Sequence, residues 1–171
     1  MKRIVVKIIM LTVLLFSLVA TWVYFGVCIP IKTIADPSYR DADFKNDHVA
    51  CDKVRDACHK LLFHFAWLGG HHDAFIALIK VGNKDSIPYL IRSLKGLEKK
   101  YPNEKNSGFA ICTYGHCEEA LWQLTSMKVD WCSKVWMNWW QQTGRYLPFD
   151  EEKRQLALPL TNGVNQIILS R

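Results

Sequence analysis

The chain has 171 residues, is 50% hydrophobic and carries a formal net charge of +6, a length that suits one domain with a core and is short for two. Lys2, Arg3 and Lys7 precede an apolar run, and without these three, 19 basic residues face 16 acidic ones, a net charge of +3. Because the remaining charges are interspersed without a basic stripe, the composition argues against a nucleic-acid-binding protein.

The first predicted element is a transmembrane helix. Ile8 to Ile29 is a run of 22 residues without a charge, and as a helix it would span about 33 Å, enough to cross a hydrocarbon core of about 30 Å. The run exceeds the apolar region of a signal peptide, about 7–15 residues, and Leu18-Val19-Ala20 is a poor cleavage site. We therefore expect an uncleaved signal-anchor at residues 1–29. The positive-inside rule places the N-terminus in the cytoplasm and the rest in the periplasm or an equivalent compartment, with the anchor in the inner membrane if the protein is bacterial.

A linker and a helical domain are predicted to follow. Ile29-Pro30 and Asp36-Pro37 indicate a short linker over residues 30–41, and the helical domain is expected over residues 42–146. Its first helix is capped by Asp47 and ends at Gly69-Gly70. The apolar positions of this helix, at spacings of three and four residues, are Cys51, Val54, Cys58, Leu61, Phe65 and Leu68.

Four more helices are predicted from apolar spacing and capping residues. They cover approximately residues 72–81, 85–97, 113–124 and 130–144, with caps at Asp85 or Ser86 and at Asp130. Polar residues with Pro and Gly over 99–108 indicate an exposed loop. Two prolines and a charge cluster predict a mostly irregular tail over residues 147–171, in which only "NQIILS" (165–170) has strand-like composition. The predicted fold class is all-α.

Two stretches of the helical domain resemble HEAT-type repeats, which are hairpins of two helices. "AFIALIKVGNKDSIPYLIRSLKG" (Ala74 to Gly96) is similar to one unit and "GHCEEALWQLTSMKVDWCSKVWMNWW" (Gly115 to Trp140) to a second. The corresponding positions are Ala77-Leu78 with Ala120-Leu121, and Leu90 and Leu94 with Val135 and Trp139. The resemblance covers residues 70–144 and implies a small antiparallel hairpin stack that binds a protein on its concave surface. Two units are fewer than a solenoid needs, so the helix from Asp47 must cap the stack.

Four tryptophans lie within ten positions of the last predicted helix. Trp136 and Trp139 fall on one stripe with Cys132 and Val135, which predicts core packing. Trp131 and Trp140 border the stripe. Since exposed tryptophan is typical of binding hot spots, these two are the candidate partner-binding residues.

The cysteines and histidines leave two alternatives open. Five cysteines follow the apolar run, so at least one thiol stays free or pairs between chains. Cys112 and Cys117 flank "CTYGHC", which indicates a turn, and they are the candidate disulfide. No closely spaced ligand motif predicts a metal site. The alternative ligand or redox set is Cys51, Cys58, His59, His116 and Cys117.

The sequence contains no catalytic constellation: paired carboxylates at helical spacing, a nucleophile elbow and a glycine-rich phosphate loop are all missing from it. We therefore predict a protein that is not an enzyme, has no cofactor and acts as a membrane-anchored scaffold or adaptor for an unknown protein partner. The alternative is a metal- or thiol-handling protein.

Overall fold

The computed structural model describes residues 2–40, 47–65, 72–102 and 111–158, and this part of the chain is mostly helical. The α-helices are α1 (Lys2–Val23), α2 (Ile29–Ala35), α3 (Pro37–Arg40), α4 (His48–Phe65), α5 (His72–Val81), α6 (Ile87–Lys100), α7 (Ile111–Thr125) and α8 (Ser133–Gln142). Single 3₁₀ turns precede α6 at Lys84–Ser86 and follow α8 at Gly144–Tyr146, and two short strands, β1 (Phe149–Asp150) and β2 (Gln155–Leu156), form a hairpin.

The N-terminal helix is long, apolar and exposed, as the sequence predicts. Residues Ile4–Ala35 are the one stretch in the described ranges long and apolar enough to cross a membrane. Membrane anchors and signal sequences both contain such a helix.

Of the predicted linker at residues 30–41, the described residues 30–40 are largely helical. The Ile29 N–H bonds to Tyr24 O, five residues back, in a π-helical turn (Tyr24–Cys28) that joins α1 to α2. This wider turn accommodates Pro30, which has no N–H to donate. The helix breaks only at Asp36, where the backbone becomes extended. Because α2 packs against α4, it belongs to the folded unit.

Helix α4 is the first of the predicted domain helices, and its start agrees with the sequence. Asp47 caps it, since its carboxylate accepts a 2.9 Å hydrogen bond from the Ala50 N–H. Its inward stripe packs on α2 and α5, and the buried members are Cys51, Val54, Cys58 and Leu61. The predicted end at Gly69-Gly70 lies outside the described residues.

Helices α5 and α6 follow each other through the turn at residues 82–86, and α7 packs against both. At one end of α5, His72 lies 2.9 Å from Cys112 of α7. At the other end, a Cβ placed on Gly82 would lie 2.9 Å from Leu124. Helices α5 and α7 therefore run parallel. The cap before α6 is a capping box, in which the Asn83 N–H donates to Ser86 Oγ at 3.1 Å and the Asn83 side chain accepts from the Ser86 N–H. Asp85 is exposed.

The connection between α7 and α8 departs from a simple hairpin. Helix α8 packs on α6, with Ser133 near Glu98 at one end and Lys84 Nζ 2.5 Å from Leu147 O at the other. Helix α8 is thus antiparallel to α6 and runs in the direction of α7. The return segment over residues 127–132 is held by Trp122, whose indole N–H donates to Val129 O at 2.8 Å.

The predicted cap at Asp130 is wrong, because the cap of α8 comes from another helix. The Glu98 carboxylate of α6 accepts hydrogen bonds from the Ser133 N–H, at 2.7 Å, and from the Ser133 hydroxyl. The residue in the N-cap position is Cys132, and its side chain makes no capping bond.

The tryptophan helix is partly core and partly surface. Trp136 is fully buried and makes edge-to-face contacts with Trp131 and Trp139, at centroid distances of 5.1 and 5.6 Å. Trp139 is half-buried. The helical spacing predicts that Cys132 and Val135 are buried with them, but both are exposed, Val135 to 44%. The buried residues of α8 are Ser133 and Trp136.

Part of the predicted irregular tail joins the core. Leu156 of β2 is 1% exposed, and Arg154 donates to Lys80 O at 2.5 Å and to Cys51 Sγ at 3.3 Å. Residues 159–171, including the strand-like stretch 165–170, lie outside the described residues.

Candidate metal centre

The first turns of α5 and α7 bring together three side chains that commonly bind metal ions. His72 begins α5, and Cys112 and His116 lie one turn apart on α7. One ligand atom from each lies within 4.8 Å of the other two. The closest pair is His72 Nε2 and Cys112 Sγ, at 2.9 Å, and the two imidazole rings meet edge to face with centroids 4.8 Å apart. We call these three residues the His-Cys-His cluster.

The cluster follows from helix geometry and from the parallel packing of α5 on α7. Residues four positions apart share one helix face, so Cys112 and His116 point the same way. Burial of Phe75 and Leu78 of α5 together with Leu121 of α7 fixes the two helices side by side. This packing places His72 beside the first turn of α7.

Each histidine of the cluster has a carboxylate on its Nδ1 side. His72 Nδ1 lies 3.2 Å from Asp73 Oδ1, and His116 Nδ1 lies 3.2 Å from Glu119 Oε2. A carboxylate in this position holds the proton on Nδ1 and leaves the Nε2 lone pair for a metal, as it does around many metal-ligating histidines. The tautomers are assigned from these hydrogen bonds.

The cluster is open to solvent. The His72 and His116 side chains are 37% and 29% exposed. Beside them lies a groove of about 570 Å³, lined by Cys112, His116, Glu119 and Lys128 among others. Gly115 also lines it, and a Cβ there would meet nothing within 4 Å. A metal ion in the cluster would therefore be reached directly from this groove.

One thiolate and two imidazoles are a donor set that suits soft and borderline transition metals. Thiolate selects Cu⁺ and Zn²⁺, and imidazole binds the same ions. Three protein ligands leave a fourth coordination position open, which is typical of sites that exchange or react rather than of purely structural zinc sites.

Four of the five ligands considered from the sequence lie elsewhere. Cys58 and Cys117 are completely buried, and burial raises the pKa of both thiols, which keeps them protonated. Cys51 lies against Val81 O. His59 bonds to Ser86 Oγ at 2.8 Å and stacks on a tyrosine ring. Only His116 takes part in the cluster.

Two members of the cluster, His72 and Cys112, are not in the ligand set predicted from the sequence. The spacing of Cys112 and His116 at i and i+4, which places both on one helix face, is a sequence signal for Cys112, and His72 has none. The glycine in "CTYGHC" indicates a turn, but α7 already begins at Ile111.

The predicted disulfide between Cys112 and Cys117 does not form. Both thiols are free, and five positions along a helix place them on different faces. Cys112 is exposed at the cluster, whereas Cys117 is buried and donates to Leu90 O at 3.5 Å.

The two tryptophans predicted to bind a partner are half-buried. They belong to a contiguous apolar surface in which Trp139 contacts both, at centroid distances of 6.3 Å to Trp131 and 6.4 Å to Trp140. With Val135 they form what we call the tryptophan surface.

The chain has no match among protein-family models, curated proteins or solved structures. Its similarity to HEAT-type repeats therefore stays a prediction from the sequence, and a functional proposal rests on the geometry of the sites.

Proposed function

We propose that this chain is a membrane-anchored metal-binding protein whose His-Cys-His cluster holds a thiophilic transition-metal ion, Zn²⁺ or Cu⁺. The observation that carries the proposal is the convergence of His72, Cys112 and His116, with a carboxylate behind each histidine. The protein binds the ion and performs no catalytic step. Because the ion binds a thiolate and neutral imidazoles, binding releases protons and weakens as the pH falls.

The test is metal titration of the purified full-length chain. Competition with a chromophoric chelator gives the affinity, and Co²⁺ substitution reports thiolate ligation through a charge-transfer band. We expect one ion per chain. Loss of a carboxylate that hydrogen-bonds to a metal-binding histidine costs about 10–100-fold in metal affinity, so Glu119→Gln should weaken binding by this factor. Cys112→Ser or His72→Gln, which each remove a ligand, should weaken it further.

Matched controls come from exposed residues of the same types outside the cluster. Cys132→Ser and His48→Gln should bind the ion like the parent chain. Unchanged affinity in Cys112→Ser, or a loss in Cys132→Ser equal to that in Cys112→Ser, would contradict the proposed site.

The proposed topology keeps α1 as an uncleaved anchor, with the N-terminus in the cytoplasm and the helical domain on the periplasmic or extracytoplasmic side. The exposed apolar face of α1 and the flanking Lys2, Arg3 and Lys7 support it. Protease added outside intact spheroplasts should digest the domain, and the intact mass should include residues 1–29. A protected domain would overturn the orientation, and a shortened N-terminus would show a cleaved signal.

The tryptophan surface favours a second candidate function, a non-enzymatic scaffold that binds another protein. Val135 is 44% exposed beside Trp139, and tryptophan is enriched at binding hot spots. The resemblance to HEAT-type repeats supports the same role. A photoreactive amino acid at Trp140 should give one discrete crosslinked protein in cells, while the same group at Lys99 on α6 should not. Equal crosslinking from both positions would remove this candidate.

A further inference from the structure

A second cleft lies where the apolar helix meets the domain. It has a volume of about 510 Å³ and lies between the π-helical turn with its flanking residues on one side and α4 on the other. Its apolar wall includes Trp22, Phe25 and Ile29, and its opposite wall includes Lys53 and Lys60. We call it the junction cleft.

The charges of the junction cleft are predominantly basic. Lys53 and Lys60 are seven positions apart, about 10 Å along α4, and Asp56 lies between them on the same wall. Two lysines and one aspartate give a net charge of +1, which complements the single negative charge of a phosphodiester. Among the described residues, Lys60 has no ion-pair partner within 4 Å.

Lys53 is held in the cationic form by its surroundings. Its Nζ lies 5.3 Å from the centroid of the Tyr39 ring. A hydrogen bond with Tyr39 raises the pKa of Lys53, and the charge of Asp36 acts in the same direction. Lys53 is therefore a cation at the mouth of the cleft throughout the physiological pH range.

The position of the cleft along the chain matches a membrane interface. About 20 helical residues cross the hydrocarbon core, so a span that starts at Ile8, the first residue of the uncharged run, ends near Val27, between Phe25 and Ile29 of the cleft wall. Trp22 lies a little more than one turn before this end, and tryptophan is enriched near the interfaces of a bilayer. The apolar wall would then face acyl chains, and the lysines of α4 would lie at the headgroups.

We propose that the junction cleft binds the headgroup of an anionic phospholipid from the non-cytoplasmic leaflet. Lys53 and Lys60 contact the phosphate, and Trp22 and Phe25 contact the upper part of the acyl chains. The proposal rests on the membrane-anchored topology and is independent of the metal site. A bound lipid of this kind would fix the domain against the membrane surface.

The test is native mass spectrometry of the full-length, delipidated chain in mild detergent, titrated with phosphatidylglycerol or phosphatidylcholine. We expect one phosphatidylglycerol to be retained in preference to phosphatidylcholine. A lysine near a charged membrane surface is worth about a fivefold change in affinity, so Lys53→Gln or Lys60→Gln should each cost about fivefold and the double variant about 25-fold. The matched control is the double variant Lys95→Gln, Lys99→Gln on the exposed side of α6.

Three outcomes would overturn the proposal. They are equal retention of the two lipids, an unchanged preference in the Lys53, Lys60 double variant, and a dimer that forms in place of the lipid-bound monomer. Competition by inorganic phosphate alone would show that the cleft binds free phosphate. The same spectra give the intact mass and the mass of bound metal, so loss of the anchor or of the metal site is read separately from loss of lipid.

Discussion

Cys112 and Cys117 lie five residues apart on one helix and have opposite surroundings. Cys112 is exposed beside His72, and Cys117 is fully buried against Leu90. Because the thiolate is the reactive form and burial disfavours it, maleimide should modify Cys112 in the folded chain and leave Cys117 unmodified. Peptide mass spectrometry after labelling measures this.

Metal binding should change the labelling of one thiol only. Zn²⁺ should slow modification of Cys112 and leave unchanged that of Cys132, which is exposed at the N-cap of α8. Protection of both cysteines would point to a general effect of the metal rather than to ligation.

His59 predicts an acid-sensitive contribution to stability. Burial lowers the pKa of His59, and the neighbouring Arg55 lowers it further. Between this lowered pKa and the unfolded value of about 6.5, the unfolded chain binds more protons than the folded chain, so stability falls as the pH decreases through this window. His59→Gln should flatten the pH dependence of the free energy of unfolding below about pH 6.5, measured by urea titration.

The matched variant for this experiment is His48→Gln, since His48 is exposed at the start of α4. It should leave the slope unchanged. An identical slope in His59→Gln and the parent chain would show that His59 does not carry the effect.

At this scale the sequence predicts which residues of one helix are buried better than which residues of two helices come together. Val54 and Leu61 are buried where the helical spacing of α4 puts them, because periodicity alone decides the inward face. His72 and Cys112 are 40 positions apart, and they meet only because α5 and α7 pack in parallel. No local pattern contains that information, so His116 is the one cluster residue in the ligand set predicted from the sequence.

Two glycines of the helical domain should respond in opposite ways to the same substitution. A Cβ on Gly82 would lie 2.4 Å from Leu78 O and 2.9 Å from Leu124, so Gly82→Ala must displace backbone and should lower the free energy of unfolding by about 1–3 kcal/mol. Gly115 is inside α7 with open space around it, and Gly115→Ala should raise the free energy of unfolding by about 0.5–1 kcal/mol.

Chemical denaturation followed by circular dichroism compares the two variants. A stabilising Gly82→Ala would contradict the tight contact at the α5–α6 turn. Metal affinity should be unchanged in Gly115→Ala, because its Cβ would point into open groove.

The start of α8 depends on a residue from a different helix. Glu98 accepts two hydrogen bonds from Ser133, so Glu98→Ala removes the cap and should cost about 1–2 kcal/mol in the free energy of unfolding. Glu151→Ala, at an exposed turn position, is the control and should change the stability little. Equal stability of the two variants would show that α8 needs no cap from α6.

This cap also shows why one helix start was mispredicted. Asp130 has the residue type of a cap, and local sequence favours it. The segment after α7 passes Asp130 before α8 begins at Ser133. There the Ser133 N–H donates to Glu98 of α6 and not to Asp130. Pro30 is a second case, because proline predicts a linker here. The π-helical turn before it lets the helix continue through Pro30.

At the scale of the whole molecule, a metal ion in the cluster would join α5 to α7. Since an ion that binds only the folded chain stabilises it by mass action, Zn²⁺ at about 100 times its dissociation constant should add about 2.7 kcal/mol. Thermal unfolding with and without Zn²⁺ measures the shift. Cys112→Ser should abolish it and Cys132→Ser should retain it, whereas a shift that survives in Cys112→Ser would indicate binding elsewhere.

The hydrogen bonds that Arg154 makes to α4 and α5 have a consequence for the timing of synthesis. Arg154 bonds to Lys80 O and to Cys51 Sγ, and it leaves the ribosome 103 positions after Cys51 does. At about 5–20 residues per second, α4 waits about 5–20 s for this partner. During that interval the buried face of α4 lacks part of its cover, so a chaperone or the translocation machinery has a defined period in which to hold the growing chain.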